Sequence, residues 1–310
     1  MTKAAAATQY GGPENATVIE VPTPEPGPGE VRVSVHAAGV NPIDYKVYSG
    51  MFGEKPERLP IRLGFEAAGV VDAVGPDVTD FGVGDEVIGH SVTGASAEQI
   101  VAPTSSFVRK PANLGWEEAA GLLLVGSTAV HALTATGVKA GDTVLIHGAG
   151  GVGLAAVQLV TARGARAIIT SSPARHDSLR ALGGEPVAYG YGLLERVQEI
   201  APDGVDAAID TVGSQEALDV SLALVADRDR IASIANFAGG AEAGIKLLGG
   251  GPGADPGAEI RSAAKSELAD LAASGQFKVI VDRTFALADV ADAHAYQASG
   301  HATGKVVLVP

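Results

Sequence analysis

Two hydrophobic patterns divide this chain. In its first third, short apolar stretches alternate with polar positions, as at Val31, Val33 and Val35. A period of two is typical of a half-buried strand. Similar short runs separated by glycine turns occur at 63–74, 85–89, 97–101 and 107–110. Many short strands with such turns predict a barrel-like β domain.

From residue 138 onward the pattern changes to apolar strands that alternate with helical segments. Strands are predicted at 143–147, 166–170, 186–189, 206–210 and 230–235, and helices at 151–163, 173–182, 192–200 and 214–225. This alternation predicts an α/β fold with a parallel, doubly wound sheet. The transition falls in 116–137, where we expect a helix interrupted near Gly126-Ser127-Thr128.

The segment 142–163, DTVLIHGAGGVGLAAVQLVTAR, contains the most informative motif. An apolar strand leads into Gly148-Ala149-Gly150-Gly151-Val152-Gly153, and a helix follows. In this context the pattern G-x-G-x-x-G indicates a dinucleotide site. Its glycines permit a tight turn, a close approach to a pyrophosphate and close packing of helix on strand. The N-terminus of the helix stabilises the phosphate charge.

The end of the second strand bears on the choice of cofactor. A site for NAD usually has Asp or Glu about 20 residues after the glycines. This chain has Ser171, Ser172 and Arg175 there, and its first carboxylate is Asp177 inside the next helix. Hydroxyl groups, a cation and a helix N-terminus suit a 2′-phosphate. Ser172 also fits a helix N-cap, so its presence has a structural explanation as well. The segment favours NADP over NAD.

Composition excludes several classes of function. The net charge of −14 argues against partners such as nucleic acid or anionic membranes. The chain has no cysteine, so disulfides and thiolate-bound zinc are impossible. No apolar run reaches the roughly 18 residues of a membrane span. The N-terminal sequence lacks the apolar core of a signal peptide, and we expect a cytoplasmic protein.

The strand that contains Val35 is followed by Asn41 and then by Pro42. Pro42 suits the first position of a helix, with Asn41 as its N-cap. The residue pattern is equally consistent with a capping role and with a polar group at a pocket rim. Tyr45 and Lys46 lie in the same short helix and could donate a proton, although packing alone would also explain Tyr45.

Taken together, these segments resemble the medium-chain dehydrogenase/reductase superfamily, and within it the zinc-free, zeta-crystallin-like quinone oxidoreductases. The matching segments are 37–50, 63–75, 82–89, 116–133, 148–153, 205–213 and 304–310. The resemblance implies a GroES-like catalytic domain formed by 1–117 and 259–310, and an NADP-binding Rossmann domain at 118–258. It also implies a homodimer that pairs through the sheet edge near 244–250.

The resemblance also implies a set of site residues. Asn41 and Tyr45 would be catalytic, and Thr128 would contact the nicotinamide. The residues expected to bind other parts of the cofactor are Gly150, Gly151, Val152, Gly153, Ser171, Ser172, Arg175, Tyr189, Asp210, Val212, Ala235, Phe237, His301 and Lys305. Arg175 lies three residues after Ser172 rather than the usual two, and Asn236-Phe237 replaces a smaller or more polar strand end.

Zinc-dependent members of the superfamily carry a metal ligand in a Gly-His-Glu segment, whereas this chain has Gly64-Phe65-Glu66. Phenylalanine cannot ligate a metal, so we expect no metal site. The implied function is an NADPH-dependent reductase that transfers hydride to a quinone or an α,β-unsaturated carbonyl. The alternatives are an enoyl-thioester reductase, another zinc-free dehydrogenase, or an NADPH-binding sensor or structural protein without turnover.

Overall fold

The computed structural model describes every residue from Met1 to Pro310. The chain divides into two compact units. Unit 1 comprises Met1–Leu124 and Lys265–Pro310, and unit 2 comprises Val125–Ala264. These boundaries fall a few residues after those assigned from the sequence.

The structure contains sixteen strands and ten α-helices. The strands are β1 (Thr2–Ala7), β2 (Ala16–Val21), β3 (Glu30–Val40), β4 (Ile61–Arg62), β5 (Glu66–Val74), β6 (Glu86–His90), β7 (Gln99–Pro103), β8 (Phe107–Arg109), β9 (Thr143–His147), β10 (Arg166–Ser171), β11 (Gly184–Ala188), β12 (Ala207–Asp210), β13 (Ile231–Ser233), β14 (Lys246–Leu247), β15 (Val281–Ala286) and β16 (Lys305–Val309). The helices are α1 (Pro42–Tyr48), α2 (Trp116–Ala120), α3 (Leu123–Ala135), α4 (Gly151–Ala162), α5 (His176–Arg180), α6 (Leu193–Ile200), α7 (Gln215–Leu224), α8 (Phe237–Ala243), α9 (Ala258–Ala273) and α10 (Val290–Ala298). None of these helices combines the length and apolar character needed to cross a bilayer.

Unit 1 is built around the long strand β3. This strand pairs with β5, β7 and β16 in a seven-stranded sheet, and β1 joins β2 and β4 in a smaller one. The alternating valines of β3 (Val31, Val33 and Val35) are buried in a core with Val71 and Ile100. The predicted period of two therefore places one face of β3 in the core, and the predicted β domain is confirmed.

Unit 2 contains a six-stranded sheet in the order β11-β10-β9-β12-β13-β14. All of its pairs are parallel. If its strands are renumbered from β9, the order is 3-2-1-4-5-6, the doubly wound arrangement in which ligands bind where the strand order reverses. Here the order reverses between β9 and β12. The Rossmann fold predicted from the sequence is confirmed.

One predicted helix break was misplaced. The interruption lies at Gly121-Leu122, and α3 continues through Gly126, Ser127 and Thr128. A Cβ at Gly121 would lie 2.9 Å from Cγ of Lys305, so close packing favours glycine there. A glycine inside a helix lowers stability by only about 1 kcal/mol. Burial of Ser127 and Thr128 within the fold outweighs that weak propensity.

Candidate functional site

The carboxyl ends of four neighbouring strands carry the polar residues of unit 2. Thr170 of β10 and Asp210 of β12 both pair in register with His147 of β9. Asp210 also pairs with Ser233 of β13. Because parallel strands end at the same edge of a sheet, these side chains share one edge, where the order reverses.

The glycine turn between β9 and α4 is shaped to hold a diphosphate. Gly148 has φ +94°, a conformation that favours glycine. A Cβ on Gly153 would lie 1.9 Å from the carbonyl oxygen of Gly148, whereas a Cβ on Gly150 would meet open space. Gly150 is the N-cap of α4 and provides no capping side chain. The first N–H groups of the helix therefore lack intrahelical partners and can bind an anion.

Two threonines that the sequence analysis did not select hold this turn. The Gly148 N–H donates to Oγ1 of Thr170 at 3.0 Å. The Thr211 hydroxyl donates to the carbonyl of His147 at 2.7 Å. Burial lowers the pKa of the His147 imidazole to about 4, the nearby Asp210 opposing that shift. His147 is therefore neutral near pH 7 and forms part of the floor beneath the turn.

Asp210 stabilises the neighbouring loops from a buried position. Its Oδ1 accepts hydrogen bonds from the N–H groups of Val212 and Gly213, and its Oδ2 accepts one from the Ser233 hydroxyl. Oγ of Ser233 in turn accepts the N–H of Ala235. These contacts assign Asp210 the role of shaping the loops, while Val212 is 55% exposed at the turn.

The predicted residue Phe237 begins α8 and lies against Gly251. A Cβ on that glycine would approach the Phe237 ring to 2.4 Å. Asn236 is the N-cap of the helix, and its Oδ1 accepts the N–H of Gly239 at 3.0 Å. The unusual Asn236-Phe237 pair therefore has a local structural explanation, as a helix start packed on a glycine-rich loop.

The predicted 2′-phosphate segment lies at the end of β10. Ser172 is the N-cap of the 3-10 turn Pro173–Arg175, but its hydroxyl makes no capping hydrogen bond. The Ser171 hydroxyl donates to the carbonyl of Ser172. Ser171 pairs with Ala188 of β11, which places Tyr189, 62% exposed, at the neighbouring strand end. The structure thus brings Ser171, Ser172, Arg175 and Tyr189 to one corner of the sheet.

Unit 1 contains a buried cluster of opposite charges. Nζ of Lys305 lies 2.7 Å from Oε1 of Glu66 and 2.6 Å from Oδ1 of Asn41. The other oxygen of Glu66 accepts the N–H of Leu124 at 2.8 Å. A Cβ on Gly39 would lie 2.5 Å from Oε1 of Glu66, so the absence of a side chain there makes room for the carboxylate. We call Asn41, Glu66 and Lys305 the buried triad.

The triad changes the interpretation of Asn41. Its backbone position is the N-cap of α1, as predicted, but its side chain makes no cap hydrogen bond and is 1% exposed. Its Nδ2 donates to Oε1 of Glu66 at 3.0 Å and to the Gly39 carbonyl at 3.4 Å. Both amide hydrogens are therefore engaged, and the side chain does not reach a pocket rim as an available donor.

Lys305 shows the same departure from its predicted cofactor role. It is 4% exposed, and its ammonium also contacts the carbonyl of Val40 at 3.4 Å. With Asn41 and Glu66, this contact engages all three donors of the ammonium. The described contacts therefore assign Lys305 to the buried triad.

Asp44 lies beside the triad and was not selected as a site residue. Its Oδ2 accepts the N–H of Asn41 at 2.7 Å, whereas its Oδ1 is buried without a partner. Burial raises the pKa of this carboxyl to about 7, a shift that the Asn41 hydrogen bond and the charge of Lys305 oppose. Spacing in the sequence gives no signal for this environment, which is created by tertiary packing.

Tyr45 and Lys46 are the two proton donors that the sequence suggested in unit 1. Both side chains are partly buried on α1, and neither makes a side-chain hydrogen bond in the structure. Burial raises the pKa of the Tyr45 hydroxyl and lowers that of the Lys46 ammonium. The remaining predicted residue, His301, is exposed in the loop before β16, where its Nδ1 lies 3.1 Å from the Ser299 hydroxyl.

The zinc site of related dehydrogenases does not fit these residues. Phe65 precedes Glu66, and that carboxylate is already engaged by Lys305, Asn41 and Leu124. No group of three His, Asp or Glu side chains is arranged to hold a metal ion.

Comparison with known proteins agrees with this architecture. A model of the alcohol dehydrogenase GroES-like domain matches residues 27–112, and a model described as zinc-binding dehydrogenase matches 182–308. A quinone oxidoreductase of Pseudomonas aeruginosa is 36% identical over 321 residues, with 97% of each chain covered.

Solved structures extend the comparison. The quinone oxidoreductase of Escherichia coli, complexed with NADPH, is 29% identical with a TM-score of 0.86, over 99% of this chain and 100% of that one. An NAD-dependent alcohol dehydrogenase is 30% identical with a TM-score of 0.87, over 99% of each chain. The chain belongs to the medium-chain dehydrogenase/reductase superfamily, in its group of zinc-free quinone oxidoreductases.

Proposed function

We propose that this protein is an NADPH-dependent, zinc-independent reductase that transfers hydride to a quinone or an α,β-unsaturated carbonyl. The glycine turn is the observation that carries the proposal. Its open approach at Gly150 and the N-terminal N–H groups of α4 suit a dinucleotide diphosphate. The quinone oxidoreductases among its relatives support the acceptor class.

NADPH is the cofactor that the strand ends favour. No carboxylate occupies the end of β10, where a ribose hydroxyl of NAD would be held. Ser171, Ser172 and Arg175 offer hydroxyl and guanidinium groups instead, with Tyr189 beside them. The NADPH complex of the related Escherichia coli enzyme supports this choice.

The bound cofactor supplies the hydride, and the protein provides binding and orientation. Residues 150–153 hold the diphosphate, Ser171 to Arg175 hold the 2′-phosphate, and Thr128 orients the nicotinamide. This orientation is largely an entropic contribution to catalysis. Because the amide of Asn41 is engaged within the buried triad, we assign Asn41 a positioning role.

Tyr45 and Lys46 remain the candidates for delivering a proton to the reduced acceptor. Their side chains lie on α1 without hydrogen-bonding partners, so neither must break a bond within the protein to donate. Hydroxyl and ammonium groups can both act as general acids. Solvent is the alternative donor, and unchanged turnover in a Tyr45→Phe/Lys46→Met double variant would favour it.

Binding and turnover test the proposal separately. The purified protein is titrated with NADPH and NADH, and oxidation of NADPH is then followed with naphthoquinones, simple enones and enoyl thioesters. We expect NADPH binding and turnover with quinones or enones. Turnover with thioesters alone would reassign the acceptor. NADPH binding without any turnover would identify a cofactor-binding protein such as a sensor.

We further propose a homodimer formed through β14. This strand is the last in the sheet of unit 2, and it pairs with β13 on one side. On its other side Asp255 already bonds the Leu247 carbonyl and the Gly249 N–H, so a second copy would continue the sheet along the rest of this edge. Sedimentation analysis should show a dimer in the wild-type protein, and a Leu247→Pro variant, which removes a backbone donor from this edge, should be monomeric. A monomeric wild-type protein would contradict the proposal.

A further inference from the structure

A continuous chain of hydrogen bonds links the glycine-rich loop of 247–257 to Thr128. Nε2 of His131 lies 3.1 Å from Oδ2 of Asp255. Nδ1 of His131 accepts Nε–H of Arg261 at 3.3 Å, and Nη1 of Arg261 donates to Oγ1 of Thr128 at 3.1 Å. All four residues belong to unit 2, so the connection is internal to it.

The neighbouring groups fix the tautomer of His131. The carboxylate of Asp255 requires a proton on Nε2, which leaves Nδ1 as the acceptor for Arg261. The side chain of His131 is fully buried, and this burial lowers the pKa of its imidazole. Oδ1 of Asp255 also accepts the N–H of Gly257 at 2.9 Å. His131 is therefore a neutral support that holds the guanidinium plane of Arg261.

The glycines of the loop make room for this support. A Cβ on Gly257 would lie 2.3 Å from Cε1 of His131, which is too close for van der Waals contact with the imidazole ring. Gly249 has φ +111°, and a Cβ there would lie 3.9 Å from Nη2 of Arg261. The glycine-rich segment is thus folded closely around the imidazole and reaches the outer edge of the guanidinium.

Arg261 forms no direct ion pair, and the opposite charge nearest to it, Asp255, contacts the other side of His131. The guanidinium donates two hydrogen bonds, to His131 and to Thr128, and no carboxylate lies within ion-pair distance of it. A guanidinium has five N–H donors, so three of them have no partner in the protein. The side chain is partly exposed, so the group is not enclosed by the protein. Burial lowers the pKa of the Arg261 guanidinium, and the charge of Asp255 only partly opposes this shift.

We propose that Arg261 determines substrate specificity by binding a carboxylate on the hydride acceptor. This inference rests on the proposed reductase function and on the nicotinamide contact of Thr128. A planar guanidinium held by two hydrogen bonds presents its free edge to a carboxylate in the forked geometry that such pairs adopt. The preferred acceptors are therefore quinones or enones that carry an acidic group.

Matched acceptors test this preference. We would measure kcat/KM for naphthoquinone and for naphthoquinone carboxylate at saturating NADPH. In the Arg261→Gln variant, the ratio of the carboxylate value to the neutral value should fall about tenfold or more, because a charge-assisted hydrogen bond is lost. The ratio cancels any effect on the cofactor or on Thr128, since both acceptors experience it.

Two further variants control the experiment. Arg228→Gln removes an exposed arginine of unit 2 that contacts only backbone carbonyls, and it should leave the ratio unchanged. Arg261→Lys should keep part of the preference, because a point charge remains without the fork. If Arg261→Gln does not fold, the ratio is compared between Arg261→Lys and the wild-type protein instead. A ratio unchanged in Arg261→Gln, or an equal fall in Arg228→Gln, would overturn the proposal.

Failure of the proposed function has a different signature. If the wild-type protein binds NADPH but reduces neither acceptor, equilibrium dialysis of naphthoquinone carboxylate with NADP⁺-loaded protein decides the question. Binding about tenfold weaker in Arg261→Gln would support the carboxylate site without any reductase activity. Equal binding by the wild-type and variant proteins would refute the site as well.

Discussion

The polar groups of the two units differ in whether they have partners within the protein. The glycine turn of unit 2 has N–H groups at the start of α4 that lack partners within the helix, and its approach at Gly150 is open. The buried triad of unit 1 has an ammonium, a carboxylate and an amide that bond one another almost completely away from solvent. The first region is prepared for a ligand, whereas the second is satisfied within the protein. A charged residue that the sequence assigns to a ligand site can therefore be fully engaged by other groups of the protein.

Removing the cation of the triad should have the largest effect. In Lys305→Met, Glu66 stays buried without its ionic partner, so the free energy of unfolding should fall by about 3–5 kcal/mol. Urea denaturation measures this loss. The double variant Glu66→Gln/Lys305→Met should recover most of it, because no uncompensated charge remains. A single variant as stable as the wild-type protein would show that the triad contributes little.

Ionisation of Asp44 should give the next largest effect, and it depends on pH. The native pKa of about 7 lies above the ordinary aspartate pKa of 3.8, so the native state retains the proton more strongly than the unfolded state. The contribution of Asp44 to stability is therefore complete below about pH 3.8 and is lost as pH rises towards 7. The asparagine of Asp44→Asn does not ionise, so the stability of that variant does not depend on pH through residue 44.

Urea denaturation of Asp44→Asn and the wild-type protein across this pH range checks the prediction. The stability of the variant relative to the wild-type protein should rise by a few kcal/mol from acidic to neutral pH. His147 and His294, with pKa values lowered to about 4 by burial, reduce stability as pH falls below 6.5, but they do so equally in both proteins. A difference that is independent of pH would contradict the environment described for Asp44.

The glycine turn offers a matched pair of substitutions. Gly153→Ala forces a Cβ against the Gly148 carbonyl, so it should lower the free energy of unfolding by about 1–3 kcal/mol and weaken NADPH binding. Gly150→Ala places its Cβ in open space and should leave the thermal stability of the free protein unchanged. It should still weaken NADPH binding, because the methyl group occupies the diphosphate approach. Equal melting temperatures for both variants would contradict the turn geometry.

Arg175→Ala should produce the smallest of these effects. Its guanidinium is partly exposed, so loss of its contact with a 2′-phosphate should weaken NADPH binding by about tenfold, or roughly 1.4 kcal/mol. NADH lacks that phosphate, and its binding should change little. Fluorescence titration with both cofactors measures the contrast, and equal losses for NADPH and NADH would refute the assignment.

The sequence predicted the parts of the molecule that follow local rules. The glycine turn, the strand β9 and the helix α4 form one contiguous segment with a recognisable period, and the structure confirms their order and bounds closely. The absence of a carboxylate at the end of β10 could also be predicted, because that position lies at a fixed distance along the chain from the glycine turn. The hydrophobic period of an element and the glycines that end it are properties of short segments, so a single sequence is enough to recognise them.

The triad was not predictable in this way. Asn41, Glu66 and Lys305 come from three distant segments, and only the pairing of β3 with β5 and β16 brings them together. The same is true of Arg261, which meets His131 across 130 positions of sequence. The family resemblance implied ligand contacts for Asn41 and Lys305, whereas tertiary hydrogen bonding engages both side chains inside unit 1.

The hydrogen bond from Gly148 to Thr170 has a consequence for protein engineering. The phosphate-binding turn is held by a hydroxyl from the neighbouring strand, 22 residues away. A designer who grafts the segment 148–153 into another parallel sheet would transfer its glycines and leave that support behind. The transplantable module is therefore the strand pair β9 and β10 together with the turn, and a graft limited to the motif would lack the anchor that fixes its shape.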